Sequence, residues 1–384
     1  MKLKDVCTVF TDGDWIESKD QSDEGIRLVQ TGNIGEGIYL EKEARAKYIS
    51  EDTFKTLKCT EIYPGDILVS RLPEPIGRAC IVPEKEDRMI TAVDCTICRP
   101  DESIVSKEYL CYFMRSDSYY TKLLGNVTGT TRKRISRKNL GNVELDIPLK
   151  KKQKEVVKQL DSLSRAINLR KNEIQLLDNL IKARFVEMFG DPVSNSYGFP
   201  EATLPELGEL GRGVSKHRPR NDSKLLGGDY PLIQTGDVAN AGLYITSYGG
   251  TYSELGLKQS KMWNKGTLCI TIAANIAKTA ILEFDACFPD SVVGFIANEK
   301  TNNIFIHYWF SFFQAILESQ APESAQKNIN LKILSELKVI VPKKEKQDEF
   351  VEFIEQVYKS KVAVQKALDE TQMLFDSLMQ KYFA

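Results

Sequence analysis

Apolar positions along this chain follow two rhythms, and the rhythms alternate twice. Short β-branched and aromatic runs broken by Gly, Pro and Asp, such as Ile67-Leu-Val69 and Ala280-Ile-Leu282, predict strands and turns ahead of residue 100 and again beyond residue 203. Each region is followed by a helical pattern, over residues 109–124 and 304–317. Each then gives way to a long helix entered through a proline, Pro148 or Pro342. In the first long helix Leu160, Ile167, Ile174, Ile181 and Met188 recur every seven residues, with Val156, Leu163 and Leu177 between them, which makes a heptad seam. A shift of 194 residues lands on Ile354, Lys361, Leu368, Phe375 and Tyr382, with Val357, Val364 and Leu378 between them, so the two helices share one register.

A continuous apolar stripe must be covered. Two helices of one register in one chain are natural partners, so an intramolecular antiparallel coiled coil is expected; packing of each stripe on its own globule, or a coil between two chains, are the alternatives. The polar residues in the seam, Arg170, Arg184, Lys361 and Thr371, are expected to set register or to face a partner rather than to add stability.

The strand-rich regions repeat each other as well. Leu28-Val-Gln-Thr-Gly-Asn-Ile returns as Leu232-Ile-Gln-Thr-Gly-Asp-Val, Gly65-Asp-Ile-Leu-Val-Ser70 as Gly266-Thr-Leu-Cys-Ile-Thr271, and Ile76-Gly-Arg-Ala-Cys-Ile-Val82 as Ile276-Ala-Lys-Thr-Ala-Ile-Leu282. The repeat closes with Ile147-Pro-Leu-Lys-Lys-Lys-Gln153 against Val341-Pro-Lys-Lys-Glu-Lys-Gln347. The spacing has by then shrunk from 204 to 194, which predicts an insertion in the first copy near residues 128–137. The predicted class is α+β, with a pseudo-two-fold internal repeat. A first globule spans 1–148, a central long helix 149–190, a linker 191–203, a second globule 204–342 and a C-terminal long helix 343–384. Gly190 suits the C-cap of the first helix and Pro192 prevents its continuation.

Composition adds limits. The 384 residues, 42% of them hydrophobic, suffice for two cores, and the start Met-Lys-Leu-Lys-Asp-Val lacks the apolar segment of a secretory signal. With no uninterrupted apolar stretch of membrane-spanning length, a cytoplasmic location is expected and no membrane partner. The eight cysteines mostly lie in apolar runs and read as reduced core thiols. A net charge of -1 means that contact with nucleic acid must come from local basic segments or from partner subunits.

No catalytic constellation emerges. A Gly-Lys-Ser/Thr phosphate loop is missing, as are the Asn-Pro-Pro-Tyr and Asp-Pro-Pro-Tyr motifs of adenine methyltransferases. Pro289-Asp290 with Glu336-Leu-Lys338 imitates a nuclease metal site only loosely, the parts being some 46 residues apart. Of the two histidines, His307 lies among Phe305, Tyr308 and Trp309 and reads as a packed helix residue. Cys95-Thr-Ile-Cys98 is a single Cys-x-x-Cys, and the sister copy is expected to place Gly294 and Ala297 there, so no metal site is expected.

DNA contact has candidates. Residues 130–138 hold Thr130, Arg132, Lys133, Arg134, Arg137 and Lys138, a mixture suited to phosphates and, for arginine, to the paired acceptors of guanine; a solvated loop is the bland alternative. Lys216, Arg218 and Arg220, around His217 and Pro219, form a smaller set in the second copy. In the Gln-Thr-Gly loops Gln30, Thr31 and Asn33, with Gln234, Thr235 and Asp237, are offered as base contacts or turn ligands, and the repeated glycine suggests a turn needing positive φ. Ser70, Arg71 and Arg78, with Asn275 and Lys278, are expected in corresponding loops. Gln326 and Lys327 complete the candidates.

Three segments carry a resemblance. These are Thr271-Ile-Ala-Ala-Asn-Ile-Ala-Lys-Thr-Ala280, Ala325-Gln-Lys-Asn-Ile-Asn330 ahead of a Pro-Lys-Lys-x-x-Gln helix start, and Phe185-Val-Glu-Met-Phe-Gly-Asp-Pro192. Over essentially the whole chain, the sequence resembles the specificity subunits of type I restriction-modification enzymes. The resemblance implies two target-recognition globules, each reading half of a split double-stranded DNA site, joined by antiparallel helices that set the spacer and dock two modification subunits. It implies no active site or cofactor in this chain: S-adenosylmethionine would be used by the modification subunits, and ATP with Mg by the restriction-translocase subunits. The first copy has Gly129-Thr-Thr-Arg-Lys-Arg-Ile-Ser136 where the second has Ala325-Gln-Lys-Asn-Ile-Asn330, so an asymmetric target is expected. A stand-alone methyltransferase or nuclease, and a coiled-coil adaptor without DNA affinity, are the rival readings.

Overall fold

A computed structural model of the chain describes residues 1–72, 74–125, 133–273, 276–320 and 329–384, with the backbone alone over 315–320. It divides into two compact units: Met1–Lys171 with Ala367–Ala384, and Asn172–Lys366.

The first unit holds strands β1 (Cys7–Asp12), β2 (Ile26–Val29), β3 (Tyr48–Ile49), β4 (Glu61–Ile62), β5 (Ile67–Ser70), β6 (Ala79–Ile81), β7 (Met89–Thr91) and β8 (Cys95–Pro100). They form two four-stranded sheets, β1-β8-β5-β6 and β3-β2-β7-β4. Along β2 and β7 the pleat alternates: Val29 and Met89 join Leu68, Cys80 and Ile97 between the sheets, while Leu28 and Ile90 face outward onto Phe54 of α1 (Glu51–Leu57). Helices α2 (Lys107–Phe113), α3 (Asp117–Leu124) and α4 (Arg137–Gly141) follow. The helical pattern over 109–124 is thus two helices rather than one. Ser116 caps the second by accepting the Tyr119 N–H at 3.2 Å, which stops the first.

The second unit repeats this plan. Its strands are β9 (Glu201–Thr203), β10 (Gly208–Arg212), β11 (Leu226–Leu232), β12 (Tyr244–Ile245), β13 (Gly250–Tyr252), β14 (Met262–Trp263), β15 (Leu268–Thr271), β16 (Thr279–Leu282), β17 (Ala286–Cys287), β18 (Val292–Ala297) and β19 (Lys338–Ile340). Their sheets run β10-β18-β15-β16-β12 and β13-β11-β17-β14, the same order as in the first unit with β12 added at an edge. The second unit also holds the short helices α6 (Leu204–Leu207), α7 (Thr235–Asn240), α8 (Glu254–Lys258) and α10 (Leu331–Glu336), and the apolar α9 (Asn303–Gln320), which buries Phe305, Ile306, Trp309 and Phe310. β9 pairs antiparallel with β19, so residues 201–203, placed in a linker by composition, belong to the second unit's sheet structure.

Strand register corrects two expectations. Ile67 pairs with Cys98 as Leu268 pairs with Phe295, so Cys95 and Cys98 correspond to Val292 and Phe295 rather than to Gly294 and Ala297. The equivalences Leu68/Cys269, Cys98/Phe295 and Lys150/Lys344 also show the first copy's extra residues accumulating in several stretches, not in one insertion near 128–137. Gly65 and Gly266, equivalent turn glycines, have φ of 92° and 89°.

The long helices α5 (Lys150–Phe189) and α11 (Lys344–Phe383) are 40 residues each and contribute to both units. Within the first unit Tyr382 Oη donates to Gln159 at 2.6 Å and Arg170 donates to the Ala367 carbonyl at 2.9 Å and to Thr371. Within the second, Lys361 meets Asp178 at 2.5 Å and Arg184 meets Glu349 at 2.9 Å. Residue numbers rise on one helix as they fall on the other, so the pairing is antiparallel in each unit. Leu160, Ile167, Ile181, Ile354, Val357, Leu368 and Phe375 are buried in the seam, and Leu163, Ile174, Leu177, Val364 and Leu378 are half-buried. The four polar interruptions all bond across it.

Each helix pair is anchored to its own globule. Tyr109 and Phe113 pack on Phe383, with ring centroids 5.2 and 6.3 Å apart; Phe185 and Phe189 pack on Phe305 at 5.6 and 5.1 Å. The repeated glutamine of the helix starts is a buried fastener. Gln153 Nε2 donates to the Ile104 and Pro148 carbonyls, both at 2.9 Å, while its Oε1 accepts the Ser106 N–H. Gln347 does the same with the Lys300 and Pro342 carbonyls and the Thr301 hydroxyl.

Candidate nucleic-acid interface

Topology gathers the candidates at one end of each unit. In the first, β1 and β5 both run antiparallel to β8, and β2 runs parallel to β7. The C-terminal ends of β1 and β5 therefore meet the start of β8, and hydrogen bonds tie in the ends of β2 and β7: Ala92 N–H donates to the Val29 carbonyl and Asp14 N–H to that of Thr91. At these ends lie Asp12, Gln30, Arg71 and the turn carrying Asp94. The second unit places Arg212, Gln234, Thr271 and the turn carrying Asp290 correspondingly.

In the first unit the basic segment lies against carboxylates. Arg134 pairs with Asp94 at 2.9 Å, Lys133 with Glu74 at 2.8 Å, and Arg137 approaches Asp12 at 3.8 Å. Lys133, Arg134, Arg137 and Lys138 stay exposed; Thr130 and Arg132 lie outside the described residues. Arg71 has a different role. It is buried, 3.3 Å from Asp12, and donates to the Val93 carbonyl at 2.5 Å, so it builds the site rather than lining it. Burial lowers its pKa from the usual arginine value, and Asp12 opposes the shift. Ser70, offered as a DNA contact, is fully buried and donates to the Leu72 carbonyl at 2.7 Å.

Arg78 ties two loops together, donating to the Ile34, Thr31 and Pro75 carbonyls at 2.6, 2.9 and 3.1 Å. In the Gln-Thr-Gly turn it buttresses, Asn33 is buried, accepting the Gln30 N–H at 3.0 Å and donating to the Leu40 and Glu41 carbonyls. Asp237 likewise accepts the Gln234 N–H at 2.8 Å. Both turns rest on this cap and not on a positive-φ glycine, because neither Gly32 nor Gly236 has that conformation and a Cβ on Gly236 would meet open space. Gln30 and Gln234 are exposed, with Thr31 and Thr235 half-buried beside them.

In the second unit Asp290 collects arginines. Arg218 lies 3.5 Å from its carboxylate, Arg220 bonds it directly, and Arg212 donates to its backbone carbonyl. Lys216 is exposed, its N–H and that of His217 donating to the Gln259 side chain at 2.7 and 3.0 Å. Lys278 is exposed and bonds Gln314 at 3.1 Å. Asn275, Gln326 and Lys327 lie outside the described residues.

Candidates for chemistry resolve into structure. Cys95 and Cys98 lie three apart on β8, so they face opposite sides, and burial pushes the Cys95 thiol up to about 12. All eight cysteines are free. Among the described residues no group of three or more His, Cys, Asp or Glu could hold a metal, and no helix is long and apolar enough to cross a membrane. His217 pairs with Asp222 at 3.1 Å, and His307 is half-buried, its Nδ1 2.9 Å from the Thr279 hydroxyl. Sequence reading missed Asp12, Asp94 and Arg212 and weighed Asp290 only as part of a loose nuclease motif, because most of their partners lie far along the chain; only the repeated Pro-x-Lys-x-Lys-Gln hinted at the buried glutamines.

Known proteins share this design. A protein of Methanocaldococcus jannaschii described as the MjaX type I restriction enzyme specificity subunit is 21% identical over 363 residues, which is 90% of this chain and 83% of that one. The S subunit of a type I restriction-modification system from M. genitalium superposes with a TM-score of 0.61 at 14% identity, over 100% of this chain and 95% of that one. A chain from a structural study of assembly and conformational transition in a type I R-M system gives 0.58 at 17%, over 100% and 96%. The sequence profile of the type I restriction modification DNA specificity domain matches residues 1–179 and again residues 201–371. Both halves of the repeat thus match independently, and the chain belongs to the type I restriction-modification DNA specificity family.

Proposed function

We propose that each unit reads one half of a split, asymmetric double-stranded DNA site, and that the helix pair sets the spacer and docks the modification subunits. The chain directs chemistry that others perform: modification subunits using S-adenosylmethionine, and restriction-translocase subunits using ATP and Mg. The observation that carries this reading is that both units gather exposed Gln, Lys and Arg side chains at the same strand ends, with different residues in each. A common frame with unlike side chains suits two unlike half-sites.

The test is an exchange. Replacing residues 1–148 with the corresponding globule of a related subunit, in a strain carrying the modification subunits, should change one half of the methylated motif. The other half and the spacer should persist. Inserting one heptad in each helix should keep both halves and add spacer bases, since seven residues at about 1.5 Å lengthen a helix by roughly 10 Å. A globule exchange that alters both halves of the motif refutes the modular reading.

A further inference from the structure

The arginines at the candidate interface are not loose surface cations. Asp290 stands on the turn leading into β18, a turn held by Gly213 N–H to the Val292 carbonyl and Val292 N–H to that of Pro289, at 2.9 and 3.0 Å. From that fixed point it engages a terminal nitrogen of both Arg218 and Arg220, while Arg218 also donates to the Ser215 and His217 carbonyls at 2.6 and 2.8 Å. The arginine side chains are 54% and 45% exposed and the aspartate only 29%, so the arginines are the more accessible partners of each pair. The sister unit uses the corresponding turn: Asp94 holds Arg134.

Three arginines on one aspartate leave an excess of positive charge. A carboxylate bonded at one guanidinium nitrogen also fixes the plane in which the other N–H donors point. An isolated phosphate oxygen is satisfied by a cation in almost any orientation, whereas the O6 and N7 acceptors of guanine need the fork correctly aimed. We propose that Asp290, and Asp94 in the sister unit, are positioning residues for base reading. Each trades part of the charge that would seize any phosphate for a fixed arginine orientation that favours a guanine edge. This rests on the units being DNA readers.

The experiment uses the complete complex with its modification subunits. Binding is measured across a range of salt to duplexes carrying the cognate site, or the same site with one half scrambled, and methylated motifs are mapped in cells. Asp290→Asn should bind scrambled DNA more tightly, with a salt slope steeper by up to about one unit. It should lose on the order of tenfold in discrimination at one half-site only, the scale of one misdirected bidentate pair. Asp94→Asn should do the same at the other half. Arg220→Lys keeps the charge and lacks the fork, so it should relax the same half-site as Asp290→Asn even if that variant folds poorly. Unchanged discrimination in Asp290→Asn and Arg220→Lys, or equal weakening on cognate and scrambled DNA, overturns the proposal. If the wild-type complex itself fails to discriminate either half-site, the reading of the units as DNA readers falls first.

Discussion

His307 provides a direct test of how the second unit's core is built. It lies on α9, half-buried, with Nδ1 2.9 Å from the Thr279 hydroxyl of β16. Burial pushes its pKa down to about 4; the Thr279 bond opposes that shift and Lys361 adds to it. The folded unit therefore holds the ring neutral where the unfolded chain, near the ordinary 6.5, binds a proton. Stability is fully present above pH 6.5 and is lost as pH falls toward 4, at about 1.4 kcal/mol per pH unit in the steep part. Between pH 7 and pH 5 this one group should withdraw about 2 kcal/mol. Urea unfolding of the full chain, followed at Trp263 and Trp309 emission over that range, measures the slope. His307→Gln removes the proton site, so the wild-type and variant curves should converge by about 2 kcal/mol at the acid end. Carboxylates common to both proteins cancel in the difference. Parallel curves would mean that His307 reaches solvent or a carboxylate in the folded protein, and the reasoning would be wrong.

Two further outcomes follow from the turns and helix starts. Gln347→Ala strands the Lys300 and Pro342 carbonyls and the Thr301 hydroxyl in a buried site, and Gln153→Ala does the equivalent in the first unit. Each should cost about 3 kcal/mol in denaturant unfolding, and a loss below about 1 kcal/mol would contradict the fastener role. Gly236→Ala should leave thermal stability unchanged or raise it by about 0.5 kcal/mol, because its φ is ordinary and the added methyl meets nothing; a loss above about 1 kcal/mol would refute the Asp237 cap as the basis of that turn.

Much of the architecture was legible because it is written in periodicity. The heptads of α5 and α11, the blocks shared by β5 and β15 or β6 and β16, and the prolines ahead of the long helices are local patterns that one sequence displays in full. Even the unusual polar seam positions were visible; their partners were not, since Lys361 meets Asp178 and Arg184 meets Glu349 only after antiparallel pairing sets the register.

The candidate site was legible as a set of segments and not as a set of roles. Arg71 and Arg134 look alike in sequence, yet burial against Asp12 makes the first a builder, while the second, paired with Asp94, remains exposed. Asn33 and Gln30 sit in one short motif, but the amide of Asn33 is consumed by the turn it caps. A residue's type and spacing determine which elements form. Which side chains remain available to a ligand depends on desolvation and on carboxylates from distant strands, and those are fixed only when two sheets and a helix pair close around them.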